Sequence, residues 1–242
     1  MALTSSAIPL RPISYAFGGR TFTGFLADGS DGRAAPGVLV AHEGPGVTAH
    51  IKERTAKLAA LGFIALALDL YGVIDPTLDE AREFVRTLRA DPDELRGRTS
   101  AALDVLKAQP GLDPARIAAV GFCFGGTAVL ELARSGADVA ATVGFHAGLD
   151  TLRPGDAKNV RGPVLVCMGA DDPIITADQR AAFAGEMTKG GVDWRMIVYG
   201  GAGHSFTNRD IDAFGFPGFA YNESADRRSW AAMRSFFAEA FE

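Results

Sequence analysis

Apolar residues along the 242-residue chain form two kinds of segment, and the two kinds alternate. Short continuous apolar runs are typical of strands buried on both faces, whereas apolar residues every three or four positions indicate helices. Runs of the first kind occupy 37–43, 63–70, 116–122, 139–145, 162–170 and 193–201. Segments of the second kind occupy 50–62, 125–136, 176–191 and 224–241. This order predicts an α/β fold with a mostly parallel sheet covered by helices on both faces.

Two regions depart from this alternation. Near the N-terminus, residues 13–17 and 21–27 alternate apolar and polar side chains around Gly18-Gly19-Arg20, which predicts an antiparallel hairpin. Polar sequence over 78–109 fits two helices that meet at Asp91-Pro92, because a residue before proline disfavours the α conformation. No repeat or flexible linker divides the chain, so we expect a single domain over 1–242 with an N-terminal tail of about residues 1–11.

Composition narrows the class of protein. Hydrophobic residues make up 48% and charged residues 22%, and no run approaches the roughly 18 apolar residues of a membrane span. The net charge is −5 and the lysines and arginines are scattered, which argues against nucleic acid or an anionic membrane as partner. Two distant cysteines and the lack of a leader pattern favour the cytoplasm. We expect a small-molecule substrate, and a monomer or homodimer.

The stretch "AVGFCFGGTA" (119–128) joins a predicted strand to a predicted helix. Residues 121–125 fit the G-x-S-x-G nucleophile elbow with Cys123 in place of serine, and the glycines let strand and helix approach at a sharp turn. A helix N-terminus and a nearby imidazolium both stabilise a thiolate. The alternative is a packed, inert thiol, which is what most free cysteines are.

Two further residues follow the elbow in the order that such a site requires, an acid and then a histidine. Asp172 comes just after the strand predicted at 162–170, and His204 just after the strand at 193–201. Asp171 competes with Asp172, and the sequence separates them only by loop register. Ser205 is excluded as a serine nucleophile because it lies outside any elbow. Together these features predict a Cys-His-Asp triad.

Five segments carry a resemblance to a known family: "HEGPGV" (42–47), "LALDLYG" (66–72), "GFCFGG" (121–126), "GADDPII" (169–175) and "GGAGHSF" (200–206). From about residue 12 to its end the chain resembles the dienelactone hydrolase family of α/β-hydrolases. The resemblance implies a carboxylic ester or lactone hydrolase with Cys123 as nucleophile, His204 as base and Asp172 orienting it. It implies an oxyanion hole made by the backbone N–H groups of Phe124 and Gly44. It also implies that Glu43 contacts the resting thiol and takes part in its activation.

The chain departs from the family at the residues that hold a substrate carboxylate. Members acting on dienelactone use one arginine shortly after the fourth strand and another four residues beyond the histidine. Here the second position is Asn208, and the arginines nearest to these positions are Arg82, on a predicted helix, and Arg209. We therefore expect small esters or lactones as substrates without assigning dienelactone.

Other residues at predicted strand ends are weaker candidates for the substrate pocket. Tyr71 and Phe206 flank strand ends, although core packing is the ordinary explanation for both, and His146 is expected at the pocket mouth. His42 is expected to fix the loop before Glu43 by hydrogen bonding. Cys167 is expected to be a core thiol. The four histidines and two cysteines show no ligand spacing, so no metal or cofactor is expected.

The sequence leaves two questions open, one about a segment and one about the whole chain. The segment 214–222, rich in aromatic residues and glycine, either covers the site as a lid or packs under the last helix. The whole chain is either an esterase or a non-catalytic relative that binds a small ligand or senses redox state through Cys123. The presence of an acid and a histidine in the required order favours the esterase.

Overall fold

The computed structural model describes residues 8–242, so residues 1–7 of the predicted N-terminal tail lie outside it. The strands are β1 (Arg11–Phe17), β2 (Arg20–Asp28), β3 (Ala35–Ala41), β4 (Ile64–Leu68), β5 (Leu112–Phe122), β6 (Ala141–Phe145), β7 (Val164–Gly169) and β8 (Trp194–Tyr199). The helices are α1 (Ala49–Ala59), α2 (Leu78–Ala90), α3 (Pro92–Lys107), α4 (Phe124–Arg134), α5 (Ala177–Gly190) and α6 (Glu223–Ala240). No helix in this described part combines the length and apolar content needed to cross a membrane.

All eight strands belong to one sheet with the order β1-β2-β4-β3-β5-β6-β7-β8. Strands β3 to β8 pair in parallel, while β2 pairs antiparallel with both β1 and β4. The predicted architecture is confirmed: a mostly parallel sheet, helices on both faces and an N-terminal antiparallel hairpin. Parallel strands place their carboxyl ends at one edge, and this edge carries the candidate site.

Alternate residues of the central strands supply two separate cores, as the two-residue period of a strand requires. In β3, Leu39 packs with α3 and α4 on one face, whereas Val38 and Val40 pack with α1 and α6 on the other. Cys167 of β7 is fully buried in the second core, which confirms it as a core thiol. The central strands β3, β4, β6 and β7 are therefore shielded from water on both faces, whereas the edge strands β1 and β8 are partly exposed.

Element boundaries differ from the prediction in a few places. Strand β5 begins at Leu112, four residues early, through an irregular register opposite Ala35 and Gly37. The break at Asp91-Pro92 is confirmed, since the Asp91 side chain accepts the N–H of Glu94 and caps α3. Two 3-10 helices, Pro154–Asn159 and Ile211–Phe214, were not predicted, because segments of six and four residues are too short to show a hydrophobic period.

A buried cation anchors the C-terminal end of α4, the helix that begins at the elbow. Arg134 is fully buried and donates to both carboxylate oxygens of Glu186, at 2.8 and 2.9 Å. It also donates to Glu131 at 3.1 Å and to the carbonyl of Leu149 at 3.0 Å. Because burial makes an unpaired charge costly, these partners have to be retained together.

Replacing this cation should destabilise the fold. Arg134→Met leaves the buried carboxylate of Glu186 without its partner, and we expect the free energy of unfolding to fall by about 3–5 kcal/mol. Urea denaturation followed by circular dichroism measures it. Arg195→Met is the matched control, because the Arg195–Glu239 pair is about half exposed, and it should leave the midpoint nearly unchanged. Equal losses in the two variants would contradict the anchoring role.

Candidate active site

The turn between β5 and α4 holds Cys123 in a backbone conformation that side chains rarely adopt, with φ 52° and ψ −116°. Such a conformation costs on the order of 1–3 kcal/mol and persists only where the surroundings enforce it. A Cβ atom at Gly121 would lie 2.0 Å from the Gly125 carbonyl oxygen, and one at Gly125 would lie 2.2 Å from the Ala41 carbonyl oxygen. The steric explanation of the glycines is confirmed, because neither position has room for a side chain.

A line of hydrogen bonds joins the three predicted residues. His204 Nε2 lies 3.1 Å from Cys123 Sγ, and His204 Nδ1 lies 2.7 Å from Asp172 Oδ2. The other oxygen of Asp172 accepts the N–H groups of Ile174 at 2.8 Å and Ile175 at 3.0 Å. His204 and Asp172 are buried, whereas Asp171 is exposed. The structure therefore resolves the choice left open by the loop register, since Asp172 is the aspartate that contacts His204.

The charges along this line reinforce one another. Burial by itself lowers the pKa of His204, but the Cys123 sulfur and the Asp172 carboxylate outweigh it and raise that pKa to about 10. Burial raises the pKa of Asp172, but the hydrogen bond and charge of His204 and the two backbone N–H donors bring it below its usual range. His204 thus lies between a carboxylate and the sulfur, and both neighbours help its imidazole to keep a proton.

The predicted oxyanion donors point to no protein partner. Across residues 8–242, no acceptor lies in hydrogen-bonding geometry with the backbone N–H of Phe124 or Gly44. The loop that carries Gly44 is fixed by His42, as expected. His42 Nε2 accepts the N–H of Leu70 at 3.1 Å, so its Nδ1 carries the proton and donates to the Glu43 carbonyl at 2.6 Å. The arrangement leaves two rigid donors available to a developing negative charge.

Tyr71 supports this loop from behind and does not line the cavity. Its side chain is 1% exposed, and its hydroxyl donates to the Gly44 carbonyl at 2.8 Å. Its ring packs against His42 and Phe84. The expectation that Tyr71 lines the substrate pocket is therefore wrong, and the residue instead positions the oxyanion loop.

Glu43 is buried beside the site, but it does not contact the thiol. Its Oε2 accepts a hydrogen bond from Asn208 Nδ2 at 2.7 Å, and its Oε1 is buried with no partner in the described chain. Burial raises the pKa of this carboxyl group. No hydrogen bond joins Glu43 to Cys123 in residues 8–242: the sulfur bonds to His204, and the carboxyl group bonds to Asn208, the residue at the family's second arginine position.

A cavity of about 480 Å³ opens over Cys123, and its walls are largely apolar. One wall is α2, whose residues 82, 86 and 89 are arginines on a single helix face. The opposite wall is apolar: Ile174, Ile175, Ile211, Phe214, Phe216 and Phe219. Of the two alternatives for the segment 214–222, the structure thus favours covering the site. Arg86 and Arg89 were not predicted to line the cavity, although their spacing from Arg82, by four and seven residues, places all three on one face of a helix.

The two arginine candidates have different positions. Arg82 lines the cavity and pairs with Asp79 at 3.0 Å. Arg209 lies outside the cavity, with its guanidinium 5.3 Å from the ring centre of Tyr221. The expectation that Arg209 lines the pocket is wrong, because its side chain is directed to the ring of Tyr221, whereas its two neighbours Asn208 and Asp210 line the cavity.

His146 and Phe206 also lie outside the cavity, contrary to expectation. The elbow closes over the end of β6, so His146 is fully buried beneath it. Its Nδ1 accepts the backbone N–H of Cys123 at 3.1 Å, and its Nε2 lies 2.9 Å from Thr207 Oγ1. Phe206 is fully buried against the His146 ring, with the ring centres 5.2 Å apart. Both residues support the elbow and the His204 loop from below.

Comparisons with known proteins cover most of the chain. The sequence model of a protein family, described as "Dienelactone hydrolase family", matches residues 22–241. A solved structure named m3DLH has a TM-score of 0.93 and 44% sequence identity, over 98% of this chain and 100% of the other. A dienelactone hydrolase-like promiscuous phosphotriesterase from metagenomic libraries has a TM-score of 0.91 and 40% identity, over 98% and 100%. A Bradyrhizobium protein named "Probable 2-oxo-3-(5-oxofuran-2-ylidene)propanoate lactonase" is 30% identical over 192 residues, 74% of this chain and 76% of that protein.

The charge pairing at His204 is open to direct measurement. We expect its imidazole to titrate near pH 10 in NMR spectra, and its pKa to fall in Cys123→Ala, which removes the neighbouring negative charge. His50 is the internal control, because burial lowers its pKa to about 3 and it should not titrate above pH 5.

The same pairing should make stability depend on pH. In the folded state the pKa of His204 lies above its ordinary value of 6.5. Protonation of His204 therefore contributes fully to the free energy of unfolding below pH 6.5, and this contribution is lost as pH rises through about 10. The difference in unfolding free energy between wild type and Cys123→Ala should shrink over this range. A wild-type His204 that titrates near 6.5 would contradict the ion pair.

Proposed function

The chain belongs to the dienelactone hydrolase family, and on that basis we propose that it hydrolyses small carboxylic esters or lactones with Cys123 as nucleophile. The observation that carries this proposal is the hydrogen-bonded line from Asp172 through His204 to the Cys123 sulfur. A non-catalytic relative that only binds a ligand has no need of a buried aspartate and histidine aligned on the cysteine. The alignment therefore favours catalysis over binding or redox sensing.

In the first half of the reaction, the Cys123 thiolate attacks the substrate carbonyl carbon and its electrons move onto the carbonyl oxygen. The backbone N–H groups of Phe124 and Gly44 stabilise the resulting oxyanion. When the tetrahedral intermediate collapses, the carbon–oxygen ester bond breaks and the leaving alkoxide takes the proton from His204 Nε2. The product of this half is a thioester on Cys123 and a released alcohol, or one ring-opened chain if the substrate is a lactone.

In the second half, water hydrolyses the thioester. His204 is now neutral, and its Nε2 accepts a proton from a water molecule as that water attacks the thioester carbonyl. The same two N–H groups hold the second oxyanion, and the thiolate leaves as the carboxylic acid product forms. Asp172 keeps the imidazole in the tautomer and orientation that both halves require.

The cavity and the chemistry both point to activated esters. A thiolate is itself a good leaving group, so the first intermediate reverts unless the alcohol leaves easily, as an enol or phenol does. The largely apolar cavity of about 480 Å³ accommodates a compact ring or a short acyl chain. Arg82 is the arginine candidate that reaches this cavity, and we propose it as the contact for a substrate carboxylate. The lactonase name of the Bradyrhizobium relative agrees with this substrate class.

Burst kinetics with p-nitrophenyl acetate test the mechanism. Cys123→Ala and His204→Ala should each lower kcat/KM by at least roughly a thousandfold, because each removes a group that takes part in bond formation or proton transfer. Asp172→Asn should also lower it strongly, whereas the adjacent exposed Asp171→Asn serves as a matched control and should not. An acetyl group on Cys123, found by mass spectrometry in the wild type, would identify the thioester. Activity that persists in both Cys123→Ala and His204→Ala would overturn the proposal.

Phosphotriester hydrolysis is a second candidate activity, favoured by the 40% identity to a family member named as a promiscuous phosphotriesterase. The thiolate would attack phosphorus and expel the aryloxide, the same N–H donors would stabilise the phosphoryl oxygen, and water would then cleave the sulfur–phosphorus bond to free the thiolate. Release of p-nitrophenol from diethyl p-nitrophenyl phosphate measures it. We expect release by the wild type and none above background by Cys123→Ala; equal release by the two proteins would contradict catalysis at this site.

A further inference from the structure

A second, smaller cavity of about 70 Å³ lies beside the main one. Two residues, Arg89 and Thr127, line both cavities, so their side chains form the partition between them. The other walls of the small cavity are mostly apolar, from Leu88, Pro92, Leu95 and Leu152, with Glu131, Asp150 and Thr151 completing it. Its volume exceeds what one water molecule needs, so it has room for several atoms of a ligand.

The partition is built from specific contacts. Arg89 Nη2 lies 2.6 Å from each carboxylate oxygen of Asp150. Thr127 Oγ1 donates to the Gly148 carbonyl at 3.0 Å. A Cβ atom at Gly148 would lie 2.6 Å from Thr127 Oγ1 and 3.4 Å from Arg89 Nη1, so the absence of a side chain there makes room for the guanidinium. The guanidinium thus lies over a glycine, and its hydrogen bonds go to one carboxylate, that of Asp150.

The small cavity lies along α4 in the direction leading away from the nucleophile. Cys123, Thr127 and Glu131 are four residues apart, so they follow one another along one face of this helix. At a rise of 1.5 Å per residue, Thr127 is roughly 6 Å and Glu131 roughly 12 Å along the axis from Cys123. A substrate chain attached at Cys123 and extended along α4 therefore meets the partition first and the small cavity next.

The partition is the movable part of this wall. The side chains of Arg89 and Asp150 are 35% and 49% exposed, and ion pairs with this exposure are weak. Thr127, in contrast, is buried in the first turn of α4. Rotation of Arg89 toward solvent would join the two cavities without disturbing the elbow.

We propose that the small cavity is an extension of the substrate site for an unbranched apolar chain, and that the Arg89–Asp150 pair sets the chain length the site accepts. This inference rests on the proposed function for the identity of the substrate. The existence of the extension does not rest on it, because any reagent that reacts with Cys123 probes the same space.

The direct test uses N-alkylmaleimides from methyl to octyl as probes. The Cys123 thiolate adds to the maleimide double bond and a proton from water completes the adduct, so no hydrolysis is needed. The readout is the ratio of the alkylation rate of each long reagent to that of N-methylmaleimide. Cys167 is fully buried, and Cys123→Ala gives the background rate.

In Arg89→Ala, we expect this ratio to rise about tenfold or more for chains long enough to pass the partition, since each newly buried methylene contributes roughly a fourfold gain. Asp150→Ala should raise it in the same direction by less, because it frees Arg89 without removing it. Arg153→Ala is the matched control: Arg153 forms a comparable exposed pair with Asp93 and lines neither cavity, so the ratio should not change.

Unchanged ratios in both Arg89→Ala and Asp150→Ala would overturn the proposal. So would a loss in Arg89→Ala confined to N-(carboxyalkyl)maleimides, since Arg89 would then bind a charge and not limit length. The same variants are assayed with p-nitrophenyl esters from acetate to decanoate. If the wild type hydrolyses none of these esters, the proposed function fails, and the maleimide ratios still decide whether the extension exists.

Discussion

The close approach of β5, α4 and the end of β3 at Cys123 is the constraint on which the rest of the site depends. Backbone atoms occupy the space where side chains at Gly121 and Gly125 would lie, and the turn holds Cys123 at a positive φ. This turn directs the sulfur to His204 and leaves the N–H of Phe124 free at the start of α4. A relaxed turn would misplace the proposed nucleophile and one proposed oxyanion donor together.

The site keeps buried charges by pairing each of them. His204 lies between Asp172 and the Cys123 sulfur, and Asp172 in turn accepts two backbone N–H groups. The same principle operates at the other end of α4, where Arg134 is enclosed by carboxylates. Because removing one partner of a buried pair is costly, these interactions fix the helix at both ends and hold the elbow in place.

Around this centre, the chain departs from the pattern expected of the family in the residues that we propose contact the substrate. Asn208 occupies one arginine position and donates a hydrogen bond to the Glu43 carboxyl group. A face of three arginines on α2 forms one wall of the cavity, and aromatic side chains from 214–219 form the opposite one. The proposed reaction centre thus rests on Cys123, His204 and Asp172, while the lining of the cavity comes largely from α2 and from the segment after Asn208.

The sequence by itself determined the sheet, its helices, the elbow and the order in which Cys123, an aspartate and His204 follow the strands. Those features rest on local rules: hydrophobic periodicity, and residues placed directly after strands. Tertiary structure alone decided that Asp172 and not Asp171 contacts His204, that Glu43 bonds to Asn208, and that Tyr71, His146 and Phe206 support the site from behind. These outcomes depend on which way a side chain points at a loop and on what packs against it. Both are set by residues distant in sequence, such as Thr207 beside His146, so no local pattern reports them.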